Sequence, residues 1–447
     1  MSIPQELIDV IVDFSHGDNQ TLRTCALTSR AFVASSQFHL FSRTRLILSD
    51  SPTREAMPWN LLGHTFQKFH SMISLSPHIA PLVTTLEVYF DATYCRRTIV
   101  DTTSFVAVFK SLTSLKRYVV SAGFDSVDLR FCKDESLTRA IFNEVFSVGL
   151  VELCLDGIES IPKVDIFSTP EKWSSLKCLS ILWSGFQQQD VAWDLSSLES
   201  LKVGGVNSFT YLEDWLSKNK SCSELRWKYF VAVIASPDDL LVVKNALRIP
   251  APYLEEMVID YSFPGKLSST LRGRADNQTS SAECTDPLLD LRRLANLRSV
   301  RLICGEFDQN VPCPLMGSSV QEMTIEICPE SRTVVTLFEG GKLRRIDDSI
   351  GAQSLPLLSL VTIAIHPSST HCSAAGCHCM NPEEDSSDSI ELVTLARDMP
   401  GLSSKGILNI VGNSSACCSF VLFVFIEENH RAYNMGWYTA LERSPSD

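Results

Sequence analysis

Apolar residues near the start of the chain recur at helical spacing. Ile3, Leu7, Ile8, Ile11 and Phe14 fall on one stripe, which predicts an amphipathic helix. Pro4 stands at its start, where a missing N–H costs nothing and the fixed φ suits a helix. Glu6 and Asp9 put negative charge near the positive end of its dipole. Ser15, His16, Gly17, Asp18 and Asn19 then break the pattern with turn formers. Leu22, Cys25 and Ala26, then Phe32 and Val33, and finally Phe38, Leu40 and Phe41 predict two further short helices, with a strand after them ending at Leu48. A piece this small rarely closes a core alone. Each large apolar side chain gains about 1.5–3 kcal/mol on full burial, so the stripe calls for cover from the rest of the chain or from another protein.

Residues 49–81 read as a linker with one amphipathic helix. Ser51-Pro52 and Met57-Pro58 mark irregular chain, Phe66, Phe69, Met72 and Ile73 keep helical spacing, and Ser76-Pro77 ends it. From residue 82 onward a different pattern takes over: an apolar residue, two others, then two apolar residues flanking one more. It is carried by Leu112, Leu115 and Tyr118; Leu150, Leu153 and Leu155; Leu176, Leu179 and Ile181; and Leu198, Leu201 and Val203. It continues in Leu254, Met257 and Ile259; Leu297, Val300 and Leu302; Val320, Met323 and Ile325; and Leu357, Leu360 and Ile363. A degenerate copy, Cys222, Leu225 and Trp227, divides the longest interval.

Such alternation makes a short strand with one buried face, and the leading residue packs beneath it. A single unit cannot bury that face, so units must stack and share a core. The intervals are irregular, and the Asn or Cys of standard repeats is mostly missing; an ordinary α/β chain with short Leu-rich strands is the competing reading. Residues 135–146 and 286–297 are expected to be helices on the opposite side. Residues near 267–285 and 366–389 read as insertion loops.

The length of 447 residues allows two or three domains, or one repeat array. With 45% hydrophobic residues the chain is core-forming. A net charge of −13 argues against a nucleic-acid binder, which carries a basic face. The short basic clusters at Lys342, Arg344 and Arg345, and at Arg292 and Arg293 with Arg298 and Arg301, read as solvated rims. Glu6, Asp9 and Asp13 interrupt the first apolar stretch, so it does not read as a signal peptide. The fifteen cysteines therefore read as reduced thiols of a cytoplasmic or nuclear protein, and the sequons at Asn277 and Asn413 as unused. The apolar run 416–426 is too short to span a bilayer and reads as a buried strand, so no membrane partner is expected.

Signatures of catalytic chemistry are few in this sequence. The chain has no P-loop, G-x-G-x-x-G, H-E-x-x-H or G-x-S-x-G. Gly204-Gly205 and Gly340-Gly341 read as turns, and Asp238-Asp239, Glu255-Glu256 and Glu427-Glu428 as solvated acidic pairs. His371, Cys372, Cys377, His378 and Cys379 crowd potential zinc ligands into one stretch. Cys372, Cys377, His378 and Cys379 are the metal candidates, and a metal-dependent enzyme built around Cys377 is one possible reading. A single short loop with no second ligand pair wraps a tetrahedral ion poorly, so this stretch, beside acidic Glu383, Glu384, Asp385 and Asp388, reads as a solvated insertion. The expectation is a non-enzyme with no cofactor.

The first stretch also resembles an F-box. It has the start Ile3, Pro4, Glu6, Leu7, Ile8, the centre Leu22 to Phe32 with Cys25-Ala26-Leu27-Thr28-Ser29-Arg30-Ala31-Phe32, and the close His39-Leu40-Phe41. The family's centre usually reads Val-Cys-Lys/Arg-x-Trp; here Ser29 stands for Cys and Phe32 for Trp. The helix and Pro-rich linker that follow are similar to those after the F-box of fungal F-box proteins, and the repeats resemble that family's degenerate leucine-rich-repeat-like region. The resemblance implies an α/β chain: a three-helix F-box head over residues 1–48, the linker over 49–81, and an irregular leucine-rich-repeat-like solenoid over 82–447. It implies a substrate-recognition subunit of a Skp–cullin–F-box ubiquitin ligase. Pro4, Leu7, Ile8, Ile11, Leu22, Ala26, Ser29 and Phe32 would meet the Skp-type adaptor, through it a cullin, and the repeat body would meet a protein substrate. A repeat scaffold acting outside ubiquitination is the alternative.

Overall fold

A computed structural model describes residues 3–48, 64–90, 102–122, 127–128, 140–142, 149–159, 161, 174–185, 197–218, 226–234, 237–247, 251–261, 289–291, 293–304, 315–316, 319–327, 344, 347–348, 350, 357–365 and 399–412. The fold is mixed α/β and divides into two units, residues 1–203 with 207–219, and residues 204–206 with 220–447. The expected insertion loops near 267–285 and 366–389, the candidates Cys372, Cys377, His378 and Cys379, and the run 416–426 lie outside the described residues.

The first unit opens with three helices, α1 (Gln5–Phe14), α2 (Asn19–Thr28) and α3 (Arg30–Ser42). Asp18 caps α2 by accepting from the N–H groups of Gln20 and Thr21 at 2.9 and 3.1 Å. Ser29 alone separates α2 from α3, and its hydroxyl caps α3 by accepting from the Ala31 N–H at 3.3 Å. α3 packs on both other helices and runs directly into β1 (Arg43–Leu48). There follow β2 (His64–Thr65), α4 (Phe66–Leu75), a 3-10 turn over Pro77–Leu82, β3 (Thr85–Phe90), α5 (Thr102–Ser111), β4 (Arg117–Ala122), β5 (Val127–Asp128), β6 (Glu152–Asp156), β7 (Ile158–Glu159), β8 (Cys178–Leu182), β9 (Ser200–Gly204) and α6 (Val206–Lys218).

Its main sheet has the order β2-β1-β3-β4-β6-β8-β9, and β5 pairs separately with β7. From β1 onward each strand therefore lies beside its predecessor, in parallel register. That register lines up Leu86, Tyr118, Leu153 and Leu179 in one buried column, and Val88, Val120, Leu155 and Ile181 in the next. Beneath the sheet, Phe66 stacks on Phe105, Phe105 on Phe109, and Phe109 meets Tyr118 edge-on, all buried.

In the second unit come β10 (Tyr229–Val233), α7 (Pro237–Ala246), β11 (Glu256–Tyr261), β12 (Leu289–Asp290), β13 (Ser299–Cys304), β14 (Leu315–Met316), β15 (Glu322–Ile327), β16 (Leu360–Ile365), α8 (Pro400–Ser404) and β17 (Leu408–Gly412). The sheet order β17-β16-β15-β13-β11-β10 is again sequential and parallel, with β12 paired to β14 apart from it. Phe230, Met257, Val300, Met323, Val361 and Leu408 share one buried column.

One backbone device repeats along both sheets. At the entries of many strands, a single carbonyl accepts two consecutive N–H groups from the entry of the next strand. Lys116 O receives Val151 and Glu152, Val151 O receives Lys177 and Cys178, and Lys177 O receives Glu199 and Ser200. Lys228 O, Glu255 O, Arg298 O and Gln321 O do the same in the second unit. This fixes the step from strand to strand, so Leu150, Leu176, Leu198, Leu254, Leu297 and Val320 all land buried ahead of their strands.

Five sequence expectations need correction. The copy placed at Leu112 is shifted by three residues: Leu115 leads, and Tyr118 and Val120 point inward. In the copy at Leu357 the inward residues are Val361 and Ile363, while Leu357 and Leu360 are exposed. In the degenerate copy Trp227 is the buried leader of β10 rather than a strand residue. Of residues 286–297, expected to form a helix, the described ones, 289–291 and 293–297, form β12 and turns instead. Asp239, expected on a solvated face, is buried in the first turn of α7, where the helix dipole favours a carboxylate.

Candidate protein-docking site on the helical head

α1 presents its faces in an unusual sense. Its polar side chains face α3: Gln5 Nε2 donates to Asp9 Oδ1 at 2.8 Å and to the Ala31 carbonyl at 2.9 Å. The Ser35 hydroxyl also donates to Asp9. Asp13 Oδ1 meets His39 Nε2 at 2.6 Å, and the Asp13 carbonyl meets His16 Nδ1 at 2.7 Å. Gln5, Asp9, Asp13, Ala31, Ser35 and His39 line a cleft of about 410 Å³ between α1 and α3, together with Arg30, Ala34 and Phe38. The hydrogen bonds from Ser35 and Gln5 hold the Asp9 carboxyl below the usual carboxylate range.

The opposite side of α1 is apolar and open. Ile3, Leu7, Val10, Ile11 and Phe14 are exposed, Leu7 and Ile11 by about half and Phe14 by 85%. Leu27 on α2 is 88% exposed, and Phe38 on α3 is exposed as well. Only Ile8 and Val12 of the α1 apolar residues turn inward. A soluble helix normally buries its apolar stripe and shows water its polar one. A contiguous stripe left open marks an interaction surface.

The eight residues assigned from sequence separate into three groups. Pro4, Leu7, Ile11 and Ser29 are exposed; Ala26 and Phe32 are half-buried; Ile8 and Leu22 are enclosed within the head, Leu22 completely. Val10 and Leu27 were absent from that set. Val10 lies three residues after Leu7 and four before Phe14, so helical spacing alone could have found it. Leu27 sits in the Cys-Ala-Leu-Thr centre, where nothing in the pattern marks which way it points.

The Ser35 hydroxyl is engaged by Asp9 while His39 is engaged by Asp13, so the two do not form a nucleophile–base pair. Cys154 and Cys178 are free thiols whose pKa burial pushes up, the opposite of a reactive thiolate. Among the described residues no cluster of His, Cys, Asp and Glu could hold a metal ion, and no helix is long and apolar enough to cross a membrane. No protein-family model matches the chain, and no curated protein is found to be similar to it.

Proposed function

We propose that the chain is a non-catalytic substrate-recognition subunit of a Skp–cullin–F-box type ubiquitin ligase, working in the cytoplasm or nucleus. Its helical head docks on a Skp-type adaptor and through it a cullin, and its strand ladder, read as an irregular leucine-rich-repeat-like solenoid, holds a protein substrate. The observation that carries the reading is the open stripe Leu7, Val10, Ile11 and Phe14 on a three-helix head whose own contacts are met by the polar side of the same helix. Ile8 and Leu22 shape this surface from behind, while Leu7 and Ile11 touch the adaptor. Holding the substrate beside a ubiquitin-loaded enzyme raises its effective concentration there, with no chemistry required of this chain.

The repeat reading draws support from Ser184. Counted from Leu176, it occupies the position at which leucine-rich repeats carry Asn. Its hydroxyl accepts from the Ile158 N–H at 3.2 Å and donates to the Leu182 carbonyl at 2.9 Å. Ser208 Oγ in turn accepts from the Ser184 N–H and donates to the Ser184 carbonyl. Serines thereby bridge successive turns of chain by their side chains.

The test is capture of a purified Skp-type adaptor by the full-length protein. Leu7→Asp with Ile11→Asp should weaken capture by at least ~100-fold, since buried interface anchors are worth about 2 kcal/mol or more each. Unchanged capture would overturn the reading. A wild-type protein that binds neither adaptor nor cullin would instead be a repeat scaffold outside ubiquitination.

A further inference from the structure

α1 is held to the head differently from the other two helices. Of its side chains only Ile8 and Val12 are buried. Its packing among the described elements is on α3, whereas α3 also packs on α2, on the 3-10 turn and on β1. The rest of the hold is polar. Gln5 donates to the Ala31 carbonyl and braces Asp9, Ser35 donates to Asp9, and Asp13 meets His39. Of these ties only the Ser35–Asp9 bond is partly buried, and the cleft of about 410 Å³ runs along the same seam. Pro4 at the N-cap of α1 makes no side-chain hydrogen bond, whereas Asp18 and Ser29 cap α2 and α3.

A helix of 10 residues is too short to persist by itself in water, so α1 depends on α3 for its order. Two buried aliphatic side chains and a few exposed ties are little to set against the entropy of ordering that length of chain. Segments with few buried apolar contacts and solvent-exposed hydrogen bonds are where proteins open locally. The ties lie on the side of α1 away from Leu7, Val10, Ile11 and Phe14, so a surface that covers the stripe leaves them in place. We propose that α1 is a strap that opens from α3 and closes on it, and that its ties to Ala31, Ser35 and His39 set the fraction of molecules closed and ready to dock. A partner that needs the closed helix binds with its dissociation constant divided by that fraction. Ser35 and His39 are then positioning residues, acting on docking through α1 without touching the partner. The inference rests on the reading of the α1 stripe as the docking surface, and it adds how that surface is regulated.

The test is hydrogen exchange of the full-length protein, read by mass spectrometry over α1, α3 and β3, alone and with a saturating purified Skp-type adaptor. In the free protein the α1 amides should exchange at least ~10-fold faster than those of α3 and β3, after correction for intrinsic rates. Adaptor should bring α1 to the protection of α3. Ser35→Ala with His39→Ala removes the two ties made by α3 side chains. It should speed α1 exchange by a further ~10-fold, as the loss of two net hydrogen bonds does, with β3 unchanged. Ser35→Thr keeps a hydroxyl donor for Asp9 and should exchange as the wild type does. Adaptor affinity of the double variant should fall by the factor that the measured open fractions give. Equal protection of α1 and α3 in the free protein overturns the proposal, as does unchanged α1 exchange in the double variant. Acceleration of α3 and β3 together with α1 overturns it too, since the ties would then hold the whole fold. Affinity lost at unchanged α1 exchange would make Ser35 or His39 a direct contact instead. A wild-type protein that binds no adaptor sinks the ligase reading alone, and exchange of the free protein still decides the strap.

Discussion

In α1 the side chains of Leu7, Val10, Ile11 and Phe14 point to solvent while Gln5, Asp9 and Asp13 hold the helix to α3. In β6, a few turns of chain later, Leu153 and Leu155 are buried while Glu152, Cys154 and Asp156 stand on the outer face. The same residue classes thus do opposite work in the two regions. The ladder's apolar columns are a core, and removing one atom group leaves a hole in a stack shared by neighbouring strands. The head's apolar stripe contributes little to folding, because its side chains remain in water until another surface covers them. Parallel sheets usually carry helices on both faces and read as unbroken apolar runs. β4, β6, β8, β13 and β15 alternate instead, which leaves the outward side chains of those strands partly open to solvent, as the outer stripe of α1 is.

The largest effect should therefore come from the ladder's aromatic stack. Phe109 is 1% exposed and touches both Phe105 and Tyr118. Phe109→Ala is expected to cost about 3–5 kcal/mol in denaturant unfolding of the full chain; a cost below about 1 kcal/mol would show that the first unit's core does not run through α5. Next comes a polar tie on the outer face. Glu87, nearly buried, accepts from Arg43 Nε and Arg45 Nε at 2.7 Å each. Glu87→Ala should cost about 1–3 kcal/mol, short of the full penalty for a broken buried pair because Arg43 is itself 65% exposed and can turn to water. The Arg45→Ala variant, whose partner side is less exposed, should cost more than Arg43→Ala.

Much of this organisation can be read from residue order, and the failures have physical causes. The α1 stripe and the six in-register copies between Leu150 and Ile325 follow from spacing. The copy at Leu112 slipped because Leu112 and Leu115 are three apart and both buried, so either can serve as leader. The copy at Leu357 slipped because Leu357 and Leu358 are adjacent, and moving a strand by one residue exchanges its two faces. Trp227 hid a leader position because an aromatic residue does there what Leu does elsewhere. In the head, spacing places Ile8 and Leu7 on one broad apolar arc; only the packing of α3 shows that Ile8 turns in and Leu7 turns out.

The head face sharpens the comparison from the other side. Leu7→Ser with Ile11→Ser should shift unfolding stability by no more than about 0.5 kcal/mol, the ordinary range for exposed positions. A loss as large as that of Phe109→Ala would mean the stripe is core, covered by this chain itself, and the docking reading would fail with it.

The smallest differences are in pH dependence, and they carry opposite signs in the two regions. Asp18 in the head has its pKa lowered, first by the hydroxyl of Thr21 and then by the backbone N–H groups it caps. The folded state therefore favours its ionised form, and its contribution is present above the ordinary carboxylate range and fades as pH falls through the lowered pKa. Asp156 on the ladder has its pKa raised by burial, with Lys202 only partly opposing this. Its folded state favours the protonated form, so its contribution is complete below the ordinary pKa and is lost as pH rises through the raised one. Asp18→Asn should accordingly flatten the acid limb of the stability profile measured by thermal unfolding across pH. Asp156→Asn should raise stability at neutral pH, with the gain shrinking toward acid. If Asp156→Asn instead destabilises the protein at neutral pH, the attraction to Lys202 outweighs burial, and the ladder's outer face is wetter around β6 than its half-buried side chains indicate.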